Sequence, residues 1–305
     1  MVLFICATYI HWINGGSILS DTRYGVNAVR DLLNRHGFKF SKTMGQNFLI
    51  DANIPEKIVR LSVIDESCGV LEVGPGIGSM TLTLSKAAGR VVAVELDRRL
   101  EPILHETLAG HTNVEVVRGD ILRLDIRKLV DEKMPGLRSV ACANLPYNIT
   151  TPALTALINA RVFKSIAVMV QREVARRICA KPGTAEYGAF TVYVNYNTEP
   201  KILFDVPPEC FMPKPRVHSS VLVMTPRAVR LLEPEEESLF FKTTRAAFGQ
   251  RRKTLVNALY AVFGSTLSKE EIVRIVKKCG YDERVRGEML SIEDFTNLSS
   301  FMKSV

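Results

Sequence analysis

From Gly69 to Val170 the chain alternates short apolar runs with amphipathic stretches, and this rhythm constrains its fold more than any other feature. The runs Val70–Val73, Val91–Glu95, Val114–Val117, Val140–Ala143 and Ile166–Val170 are strand-length and rich in β-branched residues. Segments of helical periodicity separate them, which is the pattern of a mostly parallel sheet wrapped by helices. The first run ends in Glu72-Val73-Gly74-Pro75-Gly76-Ile77-Gly78, ahead of a helix expected over Met80 to Ala88. A glycine-rich turn therefore sits at the carboxyl edge of the sheet, where open α/β sheets bind ligands. Beyond Gln171, Val192 to Val206 and Val217 to Met224 read as paired strands split by proline-rich connections, giving an antiparallel strand pair at one edge. After Pro226 the periodicity is helical in Glu233–Gly249, Arg251–Phe263, Lys269–Cys279 and Ser291–Met302. The expected organisation is an N-terminal extension (1–35), an α/β domain (36–225) and a small all-helical domain (226–305).

Composition narrows the function classes. With 305 residues, 47% apolar and 24% charged, the chain has the material for two cores and is not globally disordered. Lys+Arg at 40 against Asp+Glu at 32 leaves +8, a bias that suits a polyanionic partner without demonstrating one. The six cysteines form no CxxC pair and no His lies at ligand spacing, so neither a zinc site nor a disulfide framework is expected. Reduced, mostly buried thiols in the cytoplasm fit best; a monomer is expected. Met1 to Ile13 is apolar but lacks a basic start and a cleavage site, and is too short to span a bilayer; it reads as a stray leader. The glutamates Glu233, Glu235, Glu236 and Glu237 flank Pro234 at a helix start, where carboxylates complement the dipole and need no functional explanation.

Alone, the glycine turn is also compatible with a plain tight turn. A dinucleotide fingerprint would want glycine where Ser79 stands, which weakens a pyrophosphate cradle. Glu95 ends the second strand about 20 residues beyond Gly74, where a carboxylate can accept both ribose hydroxyls. Asp120 follows the third strand and can take an adenine amino group. Glycines, Glu95 and Asp120 at successive strand ends describe a pocket for an adenosine without phosphates, which suits S-adenosylmethionine better than a nicotinamide dinucleotide.

The fourth strand runs into Asn144-Leu145-Pro146-Tyr147. Asn and Pro are turn residues in any protein, but this tetrad also meets a specific chemical need. The exocyclic amine of adenine is a poor nucleophile because its lone pair is delocalised into the ring. Two acceptors can hold its N–H groups out of conjugation: the Asn144 side-chain oxygen and the Leu145 carbonyl, kept rigid by Pro146. Tyr147 can stack on the base, and the acceptors stabilise the amine as it turns cationic. No separate general base is required before attack.

These stretches resemble the ribosomal RNA adenine dimethyltransferases, and within them the bacterial kasugamycin-sensitivity group that acts on 16S rRNA. The resemblance runs from about Leu33 to Met302. It includes Gly45-Gln46-Asn47-Phe48-Leu49, Glu72 to Gly78, Glu95, Asp120, Asn144 to Tyr147, Phe211 to Ser219, Gln250 to Leu255 and Arg286 to Glu293. It implies a Rossmann-like class I methyltransferase sheet and S-adenosylmethionine as cofactor. It further implies that Asn47 and Leu49 line the methionine end of that cofactor above Gly74 and Gly76, with Glu95 on its ribose and Asp120 on its adenine. Asn144 would face both cofactor and target amine, and Phe211 would touch the flipped base from its other side; on its own, Phe211 reads as a core residue. The implied activity is dimethylation of N6 on two adjacent adenosines near the 3′ end of 16S rRNA, inside the assembling small ribosomal subunit, by in-line transfer.

Between Phe241 and Tyr260 the charged residues are Lys242, Arg245, Arg251, Arg252 and Lys253, all positive. Such a run is usually a solvated face; beside an adenine motif it reads as an RNA phosphate track, which Lys39, Lys42, Arg172, Arg176, Arg177, Lys214 and Arg216 could extend. Three alternatives remain open at this point: a 23S rRNA dimethyltransferase giving macrolide resistance, a non-catalytic small-subunit assembly factor, and, more distantly, a nicotinamide-dependent oxidoreductase.

Overall fold

The computed structural model describes residues 24–41 and 44–303; the expected leader and Lys42 lie outside the described residues. A two-residue bridge pairs β1 (Phe48–Leu49) with β8 (Phe211–Met212). The main sheet has seven strands: β2 (Cys68–Val73), β3 (Arg90–Glu95), β4 (Val114–Arg118), β5 (Arg138–Asn144), β6 (Ser165–Gln171), β7 (Thr198–Val206) and β9 (Ser219–Pro226). Their order is β4-β3-β2-β5-β6-β9-β7. The first five run parallel, as their β-branched runs predict, and β9 is antiparallel to both neighbours. The reversed strand is thus one in from the edge, and β7 closes the sheet. Strand order turns back between β2 and β5, which lie side by side with Glu72 opposite Cys142. The loops leaving these two strands diverge and open the crevice in which such sheets bind ligands.

Apolar clusters cover both sheet faces, with Leu71, Val92 and Ala141 on one side and Val70, Val91 and Cys142 on the other, all at 0% exposure. Helix α1 (Val26–Arg35) falls within the stretch set apart in the sequence as an extension. Its Val29 and Leu33 nevertheless pack into a cluster with Phe48, Ile77, Leu100 and Ile103, beside the crevice.

The paired strand expected from Val192 begins only at Thr198; α8 (Ala189–Asn197) precedes it. The alternation of Val192, Val194 and Tyr196 mimics a strand because this helix is buried on two sides. Val194 packs into the sheet core, whereas Val192 and Tyr196 pack into the core of the helical domain. That second core gathers Phe240 from α9 (Pro234–Gly249), Leu259 from α10 (Leu255–Phe263), Ile272 from α11 (Lys269–Lys278) and Phe295 from α12 (Ile292–Lys303). Side-chain caps start three of these helices: Thr254 accepts from the Asn257 amide, Ser268 with Glu271 forms a capping box, and Ser291 with Asp294 exchanges the same pair of bonds ahead of α12. Glu237, read from sequence only as a helix-start acid, also reaches across to the sheet domain. It accepts from Arg161 at 3.3 Å and from the Tyr196 hydroxyl at 3.2 Å.

Candidate active site

The crevice is lined by the turn after β2, the ends of β3 and β5, the Gly119–Ile121 segment after β4, and residues 44–49. Gly74, Gly76 and Gly78 all adopt the left-handed conformation, with φ of +69°, +61° and +87°. A Cβ on Gly76 would also stand 3.0 Å from the Phe48 ring. Ser79, where a dinucleotide fingerprint has glycine, opens α3 (Ser79–Ala87), and its hydroxyl donates to the Leu49 carbonyl at 2.8 Å. The residue that spoils a pyrophosphate cradle therefore ties β1 to the crevice wall.

Glu95 is 7% exposed and lies under the glycine turn. Its carboxylate accepts the Asp97 amide at 2.8 Å and the Gly76 amide at 3.3 Å. Burial raises its pKa above the usual range, and these backbone amides hold part of that rise back. Asp97 is also 7% exposed. Its side chain accepts Gln46 Nε2 at 2.7 Å and a bidentate grip from Arg99 at 2.9 and 2.6 Å. The Arg99 guanidinium holds the Asp97 carboxyl below the ordinary carboxylate range. Asp120 takes the Leu122 amide at 3.0 Å and stands 3.5 Å from the exposed Arg123.

Asn144 ends β5, and its Nδ2 donates to the Asn47 carbonyl at 3.1 Å. Because a carbonyl can be met only by a donor, this bond fixes the amide's orientation and turns Oδ1 away as an acceptor. In the following turn the Pro146 carbonyl is taken by the Ile149 amide and the Thr150 hydroxyl, while no described residue donates to the Leu145 carbonyl. The two acceptors expected from sequence thus both remain available. The Tyr147 hydroxyl is anchored to Ser219 Oγ at 2.7 Å, and burial raises its pKa.

Of the eleven positions predicted for cofactor and substrate, ten line the crevice: Asn47, Leu49, Gly74, Gly76, Glu95, Asp120, Asn144, Leu145, Pro146 and Tyr147. Phe211 does not reach it. At 2% exposure it pairs with Leu49 across the β1–β8 bridge and packs with Ile58 and Val206 in the core. Sequence reasoning missed Glu72 as a site residue. It lies in the crevice wall, 1% exposed, with neither carboxylate oxygen hydrogen-bonded. Its one sequence signal is an acid in an otherwise apolar strand.

The basic run divides. Arg245, Arg252 and Lys253 are exposed, and Lys242 lies 4.8 Å over the Phe263 ring. Arg251 is exposed too, with 47% of its side chain accessible, but its guanidinium is already engaged, donating to Glu288 at 2.9 Å and to the carbonyls of Ala185 and Tyr187. It clamps the 185–187 loop to the helical domain.

Over residues 37–303 the sequence matches the family described as ribosomal RNA adenine dimethylase. The chain belongs to that family. It is 45% identical over 279 residues to the ribosomal RNA small subunit methyltransferase A of Clostridioides difficile, covering 91% of this chain and 96% of that one. The corresponding protein of Alkaliphilus oremlandii is 44% identical, with 89% and 94% covered. Among solved structures, a dimethyladenosine transferase from Plasmodium falciparum superposes with a TM-score of 0.70 at 25% identity, over 84% of this chain and 98% of that one. The 23S rRNA methyltransferase ErmE gives 0.65 at 24% identity, over 84% and 100%, and shares the fold. The enzyme is therefore an rRNA adenine dimethyltransferase that uses S-adenosylmethionine. The crevice fits that donor: the left-handed glycines admit close backbone approach, and the unpartnered Glu72 carboxyl can meet a cationic group. Among the described residues no helix is long and apolar enough to cross a membrane, and no His/Cys/Asp/Glu cluster could hold a metal ion.

Proposed function

We propose that the enzyme dimethylates N6 of two adjacent adenosines in the hairpin near the 3′ end of 16S rRNA, acting on the small ribosomal subunit during its assembly in the cytoplasm, as a monomer without a metal. The observation that carries this reading is the Asn144 amide, fixed by the Asn47 carbonyl so that Oδ1 and the neighbouring Leu145 carbonyl are left as acceptors at the mouth of the crevice. The family's activity supports the chemistry, and the names of the bacterial relatives support the choice of subunit.

Bound S-adenosylmethionine supplies an electrophilic methyl group on a sulfonium. Glu95 would hold its ribose and Asp120 its adenine, with Asn47, Leu49 and the glycine turn at its methionine end. Asn144 and Leu145 would accept the two N–H groups of the target adenine, which favours a tetrahedral nitrogen whose lone pair is localised rather than delocalised into the ring. Tyr147, held by Ser219, offers its ring to the extruded base. As the amine becomes cationic the same two acceptors bind it more tightly, so their effect falls on the transition state. A monomethylated amine keeps one N–H and still finds one acceptor, which permits the second transfer.

The test is incubation with labelled S-adenosylmethionine and undermethylated small subunits, large subunits or free rRNA, followed by nucleoside analysis. Dimethyladenosine from small subunits alone is expected. Label in protein-free 23S rRNA would point to a resistance enzyme, and no label in any RNA to an assembly factor.

Two further outcomes follow from the site. Glu95→Ala is expected to weaken S-adenosylmethionine binding by ~1–3 kcal/mol through lost charge-assisted hydrogen bonds; an unchanged dissociation constant in calorimetry would refute the ribose role. RNA affinity should fall steeply with salt, and Arg252→Ser or Lys253→Ser should each flatten the log–log slope by about one unit. Arg251→Ser should change that slope less and lower the melting temperature, because its guanidinium is already taken by Glu288 and the Ala185 and Tyr187 carbonyls. Equal slope changes at all three positions would place Arg251 on the RNA as well.

A further inference from the structure

Asp97 and Gln46 stand outside every contact the proposed chemistry requires, yet they connect its two halves. The Asp97 amide donates to the Glu95 carboxylate at 2.8 Å, and the Asp97 carboxylate accepts Gln46 Nε2 at 2.7 Å. Gln46 Oε1 accepts the Ser41 amide at 3.3 Å, so both ends of its amide are engaged. The next residue, Asn47, offers the carbonyl that orients the Asn144 amide at 3.1 Å. Arg99 grips both oxygens of Asp97 and donates to the Lys39 carbonyl at 3.1 Å, with its guanidinium 5.1 Å from the Phe38 ring. A carboxylate that is 7% exposed is costly to bury unless it is paired. Here the pairing joins the end of β3 to the residues preceding β1, positions distant in sequence.

We infer that Asp97 and Gln46 are positioning residues that tie the ribose-binding carboxylate of Glu95 to the carbonyl that aims the catalytic amide of Asn144. The inference rests on the proposed function, since it takes Glu95 and Asn144 in the roles given there. The network runs Glu95, Asp97, Gln46, Asn47, Asn144, and each link is a hydrogen bond or a peptide bond. Without the Gln46 link, the Asn47 carbonyl loses its fixed place relative to β3, and the Asn144 amide can rotate its oxygen away from the target amine. Ground-state binding of the cofactor uses Glu95 directly and is largely spared; turnover is not.

The test compares Gln46→Ala, Gln46→Glu and the double variant Gln46→Glu/Asp97→Asn in the full chain, with small subunits as substrate. Gln46→Ala should lower kcat about tenfold, the size of one ordinary hydrogen bond, with KM for S-adenosylmethionine moving less than about twofold, the scatter of a neutral change. Gln46→Glu should lose more, because two carboxylates then face each other. The double variant restores a donor–acceptor pair between positions 46 and 97 and still accepts the Ser41 amide, but it gives up the Arg99 bond to the same Asp97 oxygen, so its kcat should rise above that of Gln46→Glu without reaching wild type. A merely structural staple would not give that recovery with an unchanged KM. Full kcat in Gln46→Ala, a rise in KM alone, or a double variant no better than Gln46→Glu would overturn the inference. A wild-type protein that methylates no adenine would overturn the proposed function instead, so the two failures are distinguishable.

Discussion

Asn144→Ala is expected to lower turnover by roughly 10²- to 10³-fold, the range seen when one preorganised hydrogen-bonding group is removed from a reacting centre. The dissociation constant of S-adenosylmethionine should stay measurable. Among the described residues the side chain's hydrogen bond is its donation to the Asn47 carbonyl at 3.1 Å, so truncation frees that carbonyl without emptying the cofactor cradle. What is lost is an acceptor whose bond strengthens as positive charge grows on the amine, and a group of that kind affects kcat more than KM. Asn144→Asp sharpens the result. It keeps an acceptor for the amine but sets a carboxylate against the Asn47 carbonyl, where a donor is required, so it should not restore the wild-type rate. Single-turnover measurements with saturating cofactor check both; near-normal turnover in Asn144→Ala would remove the mechanism.

The residues that sequence made legible share a local cause. Gly74, Gly76 and Gly78 are forced by left-handed backbone, and Glu95, Asp120 and Asn144, each unremarkable alone at a strand end, become legible because three such ends lie along one edge of the sheet. The features that stayed hidden depend on partners far along the chain. Arg251 looks like its neighbours Arg252 and Lys253 until the carbonyls of Ala185 and Tyr187 are placed beside it. Residues 192–197 read as a strand because their alternation records two cores, and only the packing of those cores shows that a helix lies between them. Phe211 was implied at the base by resemblance; its own surroundings, prolines and an apolar core, match the blander reading. The link from Gln46 to Asp97 has no sequence signal, since neither residue type is unusual where it stands.

Glu72 gives the second large effect, and it concerns stability as much as catalysis. With both oxygens lacking a hydrogen-bond partner at 1% exposure, its carboxyl is pushed up from 4.5 to about 8. Burial is the main cause and nearby Glu95 adds to it; the Thr81 hydroxyl, close by but short of hydrogen-bond geometry, offsets part of the rise. Unfolding returns the group to its ordinary value, so between about 4.5 and about 8 the folded protein holds a proton that the unfolded chain has released. Raising the pH through that window therefore favours unfolding. The contribution of Glu72 to stability is fully present below the unfolded value, is lost as pH climbs through about 8, and is level beyond it. Glu72→Gln keeps the shape and cannot titrate. The cofactor-free variant should match wild type near pH 4.5 and exceed it increasingly as pH rises, by on the order of 4 kcal/mol above pH 8. Urea unfolding of both proteins across this range reads the difference directly, and parallel profiles would show that Glu72 is not a buried, proton-holding group. The same variant should bind S-adenosylmethionine less well at neutral pH, because an amide cannot ionise to meet its ammonium and sulfonium charges. A stabilised protein with a weakened site is the pairing expected when a buried carboxyl is kept for binding at the expense of the fold.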